Sequence, residues 1–224
     1  MEGSRGELAL HDDEARLRFL ERGLDQGARK ARLWAWSWAA VQSTVIAYDL
    51  VSGLWLSSGD GGRVDGLIGA AASTVGLATL LVRPLPVMRD QRWLERALRR
   101  RPGPAESGRC ALLAEAERRL LRDAQAEAFG HSALVHVVNF GFNIGVGLLL
   151  GVGFGHWGQA ALSALGGTAV AELQTITQPS GELELLRRYR AADLGPPAPE
   201  RSTAWAVTPL VGADYVGATI SARW

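Results

Sequence analysis

The distribution of positive charge limits what this chain can fold into more than any other feature. All 24 Lys and Arg residues lie outside four apolar stretches, which span residues 33–57, 64–82, 132–154 and 158–178. In chain order, the five flanking segments carry seven, one, eleven, none and five basic residues. Such alternation is typical of helices inserted into a bilayer, because Lys and Arg stay on the cytoplasmic side. The pattern predicts an all-α membrane protein with four transmembrane helices and both termini in the cytoplasm.

Composition agrees with this interpretation and excludes several classes of protein. The net charge of +1 argues against a nucleic-acid-binding protein, which needs a basic surface. A single cysteine, Cys110, excludes an internal disulfide and a cysteine metal cluster. The N-terminus has no apolar core of a signal peptide, so we expect the first span to act as the insertion signal. The expected location is a bacterial-type inner membrane.

Six segments follow from the alternation of apolar and charged sequence. They are a cytoplasmic amphipathic helix (1–32), a transmembrane hairpin (33–82), a cytoplasmic helical hairpin (83–130), a second transmembrane hairpin (131–178), a short helix with a Pro-rich linker (179–202), and a β-hairpin tail (203–224).

The cytoplasmic hairpin combines apolar faces with many arginines. We expect its first helix to begin with Asp90 as N-cap, and we expect Trp93 and Leu120 to lie on exposed apolar faces. Such faces favour a position on the membrane surface or on a protein partner. Four arginines could bind anionic lipid or serve only as topology signals: Arg96, Arg99, Arg100 and Arg101.

The tail differs from the rest of the chain because its apolar residues alternate. Period-two alternation on both sides of a short Gly-containing turn predicts a β-hairpin. The terminal Trp224 with alternating apolar residues resembles the C-terminal signal of outer-membrane β-barrels, but the resemblance covers nine residues of an otherwise helical chain. Because a lone hairpin is marginal in water, we expect the tail to dock on residues 90–129 or on a partner.

Polar side chains inside the apolar stretches are the candidates for a functional site. If the third and fourth stretches form a tight antiparallel hairpin, residues at equal depth have numbers that sum to about 311, since helical rise is constant. Glu172 then faces Asn139 and lies at a depth similar to that of Gln42. The predicted intramembrane polar layer contains six residues: Gln42, Asp49, His136, Asn139, Asn143 and Glu172.

Two interpretations of this layer remain open. Intramembrane ionisable groups are functional candidates, so Asp49, His136 and Glu172 could form a proton or cation path. Alternatively, the layer is interhelical hydrogen bonding that holds the bundle together. No proline interrupts a span, although transport sites are usually built on broken helices, and this favours the structural interpretation. Pairs of small residues four positions apart favour close packing within the chain or between copies.

No catalytic motif accompanies these residues. The sequence has no G-x-S-x-G elbow, no H-E-x-x-H motif and no P-loop, and we therefore expect neither an enzyme nor a cofactor. The preferred hypothesis is an assembly or scaffold component of the membrane, with a protein partner or a second copy of the chain. The alternative is a small channel or a proton- or cation-coupled transporter that uses the intramembrane acids.

The predicted topology can be tested by cysteine labelling in intact cells, with Cys110 replaced by Ser. An impermeant maleimide should react with Asp60→Cys in the outer turn and not with Gly103→Cys in the cytoplasmic hairpin, because the basic residues cluster around Gly103. Labelling of Gly103→Cys in place of Asp60→Cys would invert the topology.

Overall fold

The computed structural model describes residues 12–57, 59–100, 106–195, 204–211 and 216–223, and nearly all of them are helical. Within these residues, seven α-helices follow one another: α1 (Asp13–Val51), α2 (Asp60–Val82), α3 (Pro86–Arg99), α4 (Glu106–Gly130), α5 (Ala133–Leu148), α6 (Trp157–Ile176) and α7 (Glu182–Arg190). Helix α1 continues into a π-helical turn (Ser52–Leu56), and α5 does the same (Leu149–Gly153).

Two strands follow the helices. Strand β1 (Ala204–Val211) pairs antiparallel with β2 (Val216–Arg223), so that Ala204 lies opposite Arg223 and Val211 lies opposite Val216. Residues 196–202 of the predicted linker, the turn at 212–215 and Trp224 lie outside the described residues.

The chain divides into two compact units, each assembled from segments that are distant in sequence. Unit 1 contains Met1–Trp34, Pro84–Gly130 and Gln178–Glu200, and unit 2 contains Ala35–Arg83, His131–Thr177 and Arg201–Trp224. Unit 1 therefore holds the first part of α1 together with α3, α4 and α7. Unit 2 holds the apolar helices.

Unit 1 is built around a buried apolar core to which all four of its helices contribute. Apolar residues at helical spacing on α1 and α4 meet side chains from α3 and α7. Leu20, Leu24 and Leu120 are fully buried in this core. The expectation that Leu120 lies on an exposed docking face is therefore wrong, because the amphipathic helices bury their apolar faces against one another. Trp93 is partly buried against the core.

Helix α3 begins earlier than expected. Pro86 occupies its first turn, where the missing N–H of proline costs no hydrogen bond. Asp90, the expected N-cap, lies inside the helix and is buried. Its carboxylate binds Arg119 at 2.6 Å and Arg122 at 3.2 Å, both on α4. The prediction of the cap failed because an Asp before a basic run has the same sequence pattern whether it caps a helix or pairs with another one.

Helix α7 is fixed to the core at both ends. The Glu127 carboxylate accepts hydrogen bonds from the backbone N–H groups of Gly181, Glu182 and Leu183, at 3.1, 2.7 and 3.0 Å. These are orphan donors at a helix N-terminus, where a negative charge is also favoured by the helix dipole. At the other end, the Tyr189 hydroxyl accepts a hydrogen bond from Arg16 at 2.9 Å and donates one to Glu117.

The two halves of unit 1 repeat one arrangement. Several buried positions of α1 recur on α4 at one constant separation along the chain, and two buried positions of α3 recur on α7 in the same way. The equivalent pairs are Leu17 and Leu113, Leu20 and Ala116, Leu24 and Leu120, Ala28 and Ala124, Ala31 and Glu127, Val87 and Glu182, and Leu94 and Tyr189. In each half a long helix leads to an apolar hairpin, and a short helix follows it.

Among the described residues, three helices are long and apolar enough to cross a membrane: Asp13–Leu56, Asp60–Arg99 and Ala133–Gly153. This agrees with a helical membrane protein. Helix α6 is not among the three, because Gln159, Glu172 and Gln174 lower its hydropathy. A fourth transmembrane helix therefore stays a prediction.

Small residues bring the helices of unit 2 together. Gly53, in the π-helical turn after α1, packs on Gly66 of α2, and a Cβ added at Gly53 would lie 3.0 Å from the Gly66 Cα. In the second hairpin, a Cβ at Gly147 would lie 3.0 Å from both the Ala160 carbonyl oxygen and the Ala164 Cβ. The small-residue pattern thus serves close packing within the chain.

From the core of unit 1 we predict that alanine substitution of two adjacent leucines, Leu120 and Leu121, lowers the free energy of unfolding to different extents. Leu120→Ala should lower the free energy of unfolding by about 2–5 kcal/mol, because it leaves a cavity in a fully buried site. Its neighbour Leu121 is 36 % exposed, so Leu121→Ala should cost well under half of that. Thermal unfolding of the detergent-solubilised protein measures both. Equal losses would contradict the core described above.

Candidate functional site

The centre of the predicted polar layer lies between α5 and α6. His136 Nδ1 and Glu172 Oε2 are 2.5 Å apart, and Asn139 Nδ2 lies 3.5 Å from Glu172 Oε1. Asn139 also donates to the Thr175 hydroxyl at 3.1 Å, and Thr175 donates to the Ala171 carbonyl at 3.0 Å. The predicted contact between Glu172 and Asn139 is thus present, and the side chains form one continuous network.

The register of the two helices follows the constant-rise argument. Asn143 lies against Gly167, where any side chain would overlap its amide oxygen, and Asn143 donates to the Asn139 carbonyl at 2.8 Å. Gly147 packs on Ala164 further along. His136 contacts Glu172 where the argument paired it with Thr175, because a long carboxylate side chain reaches across one helical turn.

The remaining two predicted residues lie on a different interface. Asp49 of α1 packs against Gly69 of α2, where an added Cβ would lie 2.7 Å from Asp49 Oδ2. Gln42 packs against Gly76 of α2, where an added Cβ would lie 3.0 Å from Gln42 Nε2. The polar layer is therefore divided between two hairpins, α1 with α2 and α5 with α6. The proximity of Gln42 to Glu172 stays a prediction.

A second histidine–carboxylate pair was not predicted. His156 Nδ1, in the turn before α6, lies 2.6 Å from Asp65 Oδ1 on α2. This pair connects the two hairpins at one end of the helices. At the other end, the Thr177 hydroxyl accepts a hydrogen bond from Trp38 Nε1 at 3.0 Å. The available signal was an acid inside the second apolar stretch, together with the one histidine in the short turn between the third and fourth stretches. Sequence alone does not bring two residues so far apart into contact.

These pairs can hold protons but do not form a recognisable catalytic or metal centre. In the part of the chain that the structure describes, no group of three or more His, Cys, Asp and Glu residues has the geometry to hold a metal ion. His136 and His156 each have one carboxylate partner, Glu172 and Asp65 respectively. The arrangement suits interhelical hydrogen bonding or proton exchange.

Unit 1 contains an acidic cluster that sequence reasoning missed. Asp90, Asp123, Glu127 and Glu182 are all buried. Burial and the neighbouring Asp90 charge raise the pKa of Asp123 to about 8. Burial and contact with Glu127 raise the pKa of Glu182 to about 7. Asp123 and Glu127 share the buried face of α4 with Leu120, and this periodicity was the signal that could have identified them.

Unit 1 has an open cleft of about 730 Å³. Helix α1 lines one wall with Phe19, Arg22 and Lys30, and the start of α7 lines the other with Leu185 and Arg187. Arg187 is paired with Glu184 at 2.7 Å. The cleft combines apolar surface with mixed charge.

Comparison with models of protein families, with curated proteins and with solved structures finds no match for this chain.

Substitution of Glu172 tests the network between α5 and α6. Glu172→Leu should lower the free energy of unfolding by about 1 kcal/mol, because His136 and Asn139 lose their shared partner. Glu172→Gln should cost less, since an amide oxygen can still accept a hydrogen bond. Gln159→Leu is the matched control on the exposed side of α6 and should cause no loss. A Glu172→Leu variant as stable as this control would show that the network contributes nothing.

Proposed function

We propose that this chain is a non-enzymatic multi-span membrane protein that acts as an assembly or scaffold component. The supporting observation is the compact core of unit 1, which is built from three separate segments of chain around a set of fully buried leucines. A rigid helical body carried by membrane helices gives a fixed surface for a partner. The polar side chains of unit 2, in contrast, are mostly engaged with one another.

The proposal includes four transmembrane helices in a bacterial-type inner membrane, with both termini in the cytoplasm. Support for α6 as the fourth comes from its outward side chains. Leu162, Leu165 and Ile176 are exposed, Leu165 by 73 %, whereas Glu172 and Thr175 turn towards α5. Apolar residues outside and polar residues inside are what lipid surroundings favour. The distribution of basic residues supports the orientation.

Three features are the proposed contact surfaces. The cleft between α1 and α7 suits a peptide segment or lipid headgroup, and the proposed β-hairpin tail (203–224) provides a second surface. Arg96, Arg99 and Arg100 are exposed at the end of α3 and favour anionic lipid, with Arg99 also paired to Glu95 at 2.5 Å. Arg101 lies outside the described residues. A second copy of the chain is another candidate partner, and we propose no nucleic-acid partner.

A channel or proton-coupled transporter is the second candidate function. The close contact of His136 with Glu172, inside helices that are otherwise apolar, is the observation that favours it. Asp49 and the Asp65–His156 pair would be further proton-binding groups along the pathway. Against it, His136 and Asn139 of α5 are engaged with Glu172 and Thr175 of α6, and no proline breaks either helix.

Deletion of residues 203–224 tests the scaffold proposal. We expect the truncated protein to insert normally but to lose oligomeric mass or co-purifying partners, as measured by mass determination of the detergent-purified complex. The control variant Thr219→Ala changes one exposed side chain of the tail and should behave as wild type.

Unchanged mass and partners after the deletion would contradict a role for the tail in assembly. Proton flux into proteoliposomes that is abolished by Glu172→Gln would contradict the scaffold proposal as a whole and favour transport.

A further inference from the structure

The acidic cluster of unit 1 contains two carboxyl pairs, and each pair is arranged to hold one proton. Asp90 of α3 faces Asp123 of α4, and Glu127 of α4 faces Glu182 of α7. Asp90 is bound by two arginines of α4, and Glu127 accepts three backbone N–H groups. These two acids have the donors that a carboxylate needs. Within the described part of the chain, Asp123 has no such donor, and Glu182 lies against the Glu127 carboxylate.

Asp123 is the clearest case. Its side chain is buried, with 3 % of the residue exposed, and neither of its oxygens has a hydrogen-bonding partner among the described residues. A buried carboxylate without donors is strongly disfavoured. Protonated Asp123 can instead donate to the carboxyl group of Asp90, which two arginines bind. A neutral Asp123 is therefore the form that this site accommodates.

A small cavity separates the two pairs. It measures about 20 Å³ and is lined by Asp123, Glu127 and Glu182 together with Gln178 and apolar side chains. This volume is enough for about one water molecule. The charged groups that act on the two acids come from the described helices of unit 1. Asp90 on α3, Arg122 on α4 and Glu182 on α7 act on Asp123. Glu127 on α4 and Lys30 on α1 act on Glu182.

The internal repeat of unit 1 indicates that these acids are not needed for packing. At the positions equivalent to Asp123, Glu127 and Glu182, the other half of the unit has Gly27, Ala31 and Val87. These three residues carry no charge, and Ala31 and Val87 line the same cavity as the acids. Acids at three equivalent sites around one cavity therefore suggest a role beyond stability, since apolar residues are usually the more stable choice in a core.

We propose that Asp123 and Glu182 form a proton-operated latch that holds α3 and α7 on α4 while both acids are protonated, and releases α7 when they ionise. This inference concerns unit 1 alone and does not depend on whether the protein is a scaffold or a transporter. When both acids ionise, four carboxylates share one buried space with two arginines and Lys30. Repulsion then acts between α7 and α4 and between α4 and α3, and α7 is the shortest of these helices.

The direction of the pH dependence follows from the pKa values. Both pKa values are raised on folding, from 3.8 to about 8 for Asp123 and from 4.5 to about 7 for Glu182. The contribution of such groups is fully present below the unfolded pKa and is lost as pH rises through the folded pKa. The latch is therefore closed in mildly acidic solution and opens as the pH passes through the range from about 7 to about 8.

Hydrogen–deuterium exchange of the full-length protein in detergent tests the latch. Amides of α7 should lose at least about tenfold of their protection between about pH 6 and about pH 8.5, after correction for the intrinsic exchange rate. The double variant Asp123→Asn with Glu182→Gln should keep its protection at both pH values. The control Glu184→Gln removes an exposed acid of the same helix and should keep the wild-type loss.

A third variant separates the latch from a simple folding defect. Glu182→Val copies the equivalent Val87, so it should fold and should show a smaller pH dependence than wild type. Equal α7 protection in the wild type at both pH values would overturn the proposal. So would a full loss of protection at high pH in either Glu182→Val or the double variant, or failure of both variants to fold at mildly acidic pH.

Discussion

Polar side chains inside apolar helices need hydrogen-bonding partners on a neighbouring helix, and this requirement governs the contact between α5 and α6 of unit 2. A glutamate in α6 must be neutral or must find donors, and His136 and Asn139 of α5 supply them. Once that contact is made, the constant rise of both helices determines which residues meet along the rest of the hairpin. Glycine at position 167 and alanine at position 164 then allow the backbones to approach. The same requirement places His156 on Asp65 at the other end of the helices.

The sequence predicted those parts of the structure that depend on local rules. Apolar length, the proline after α2 and the small residues of the hairpins identified the helices and the α5–α6 register, because each acts over one or two turns. The core of unit 1 was not predicted. Periodicity shows that Leu120 belongs to an apolar face, but it does not show whether a membrane or another helix covers that face. Asp90 was assigned as an N-cap because its sequence pattern does not reveal its pairing with the arginines of α4. The contact of Asp65 was missed because its partner, His156, lies 91 residues further along the chain.

The equivalence of the two halves of unit 1 also escaped the sequence. Burial patterns repeat while residue types do not: Leu20 corresponds to Ala116, and Ala31 corresponds to Glu127. Packing requires only that a position be inward-facing and that facing volumes complement each other, so equivalent sites can exchange large, small and acidic residues. The helical framework is therefore shared, and the differences between halves mark where other requirements have acted. The buried acids are concentrated on α4 and α7, and their counterparts on α1 and α3 are small or apolar.

The segmented construction of unit 1 has a consequence for the order in which the protein can form. Its core needs α1, α3, α4 and α7, and the last of these ends at Arg190. During synthesis both apolar hairpins leave the ribosome before α7 does. The core of unit 1 therefore cannot close until both hairpins have been synthesised. Until then, the Glu127 carboxylate has no helix terminus to cap, and Leu20 and Leu120 are incompletely covered. The core of unit 1 thus closes only after both hairpins have been made. An incomplete unit 1 exposes apolar surface that chaperones and proteases can recognise.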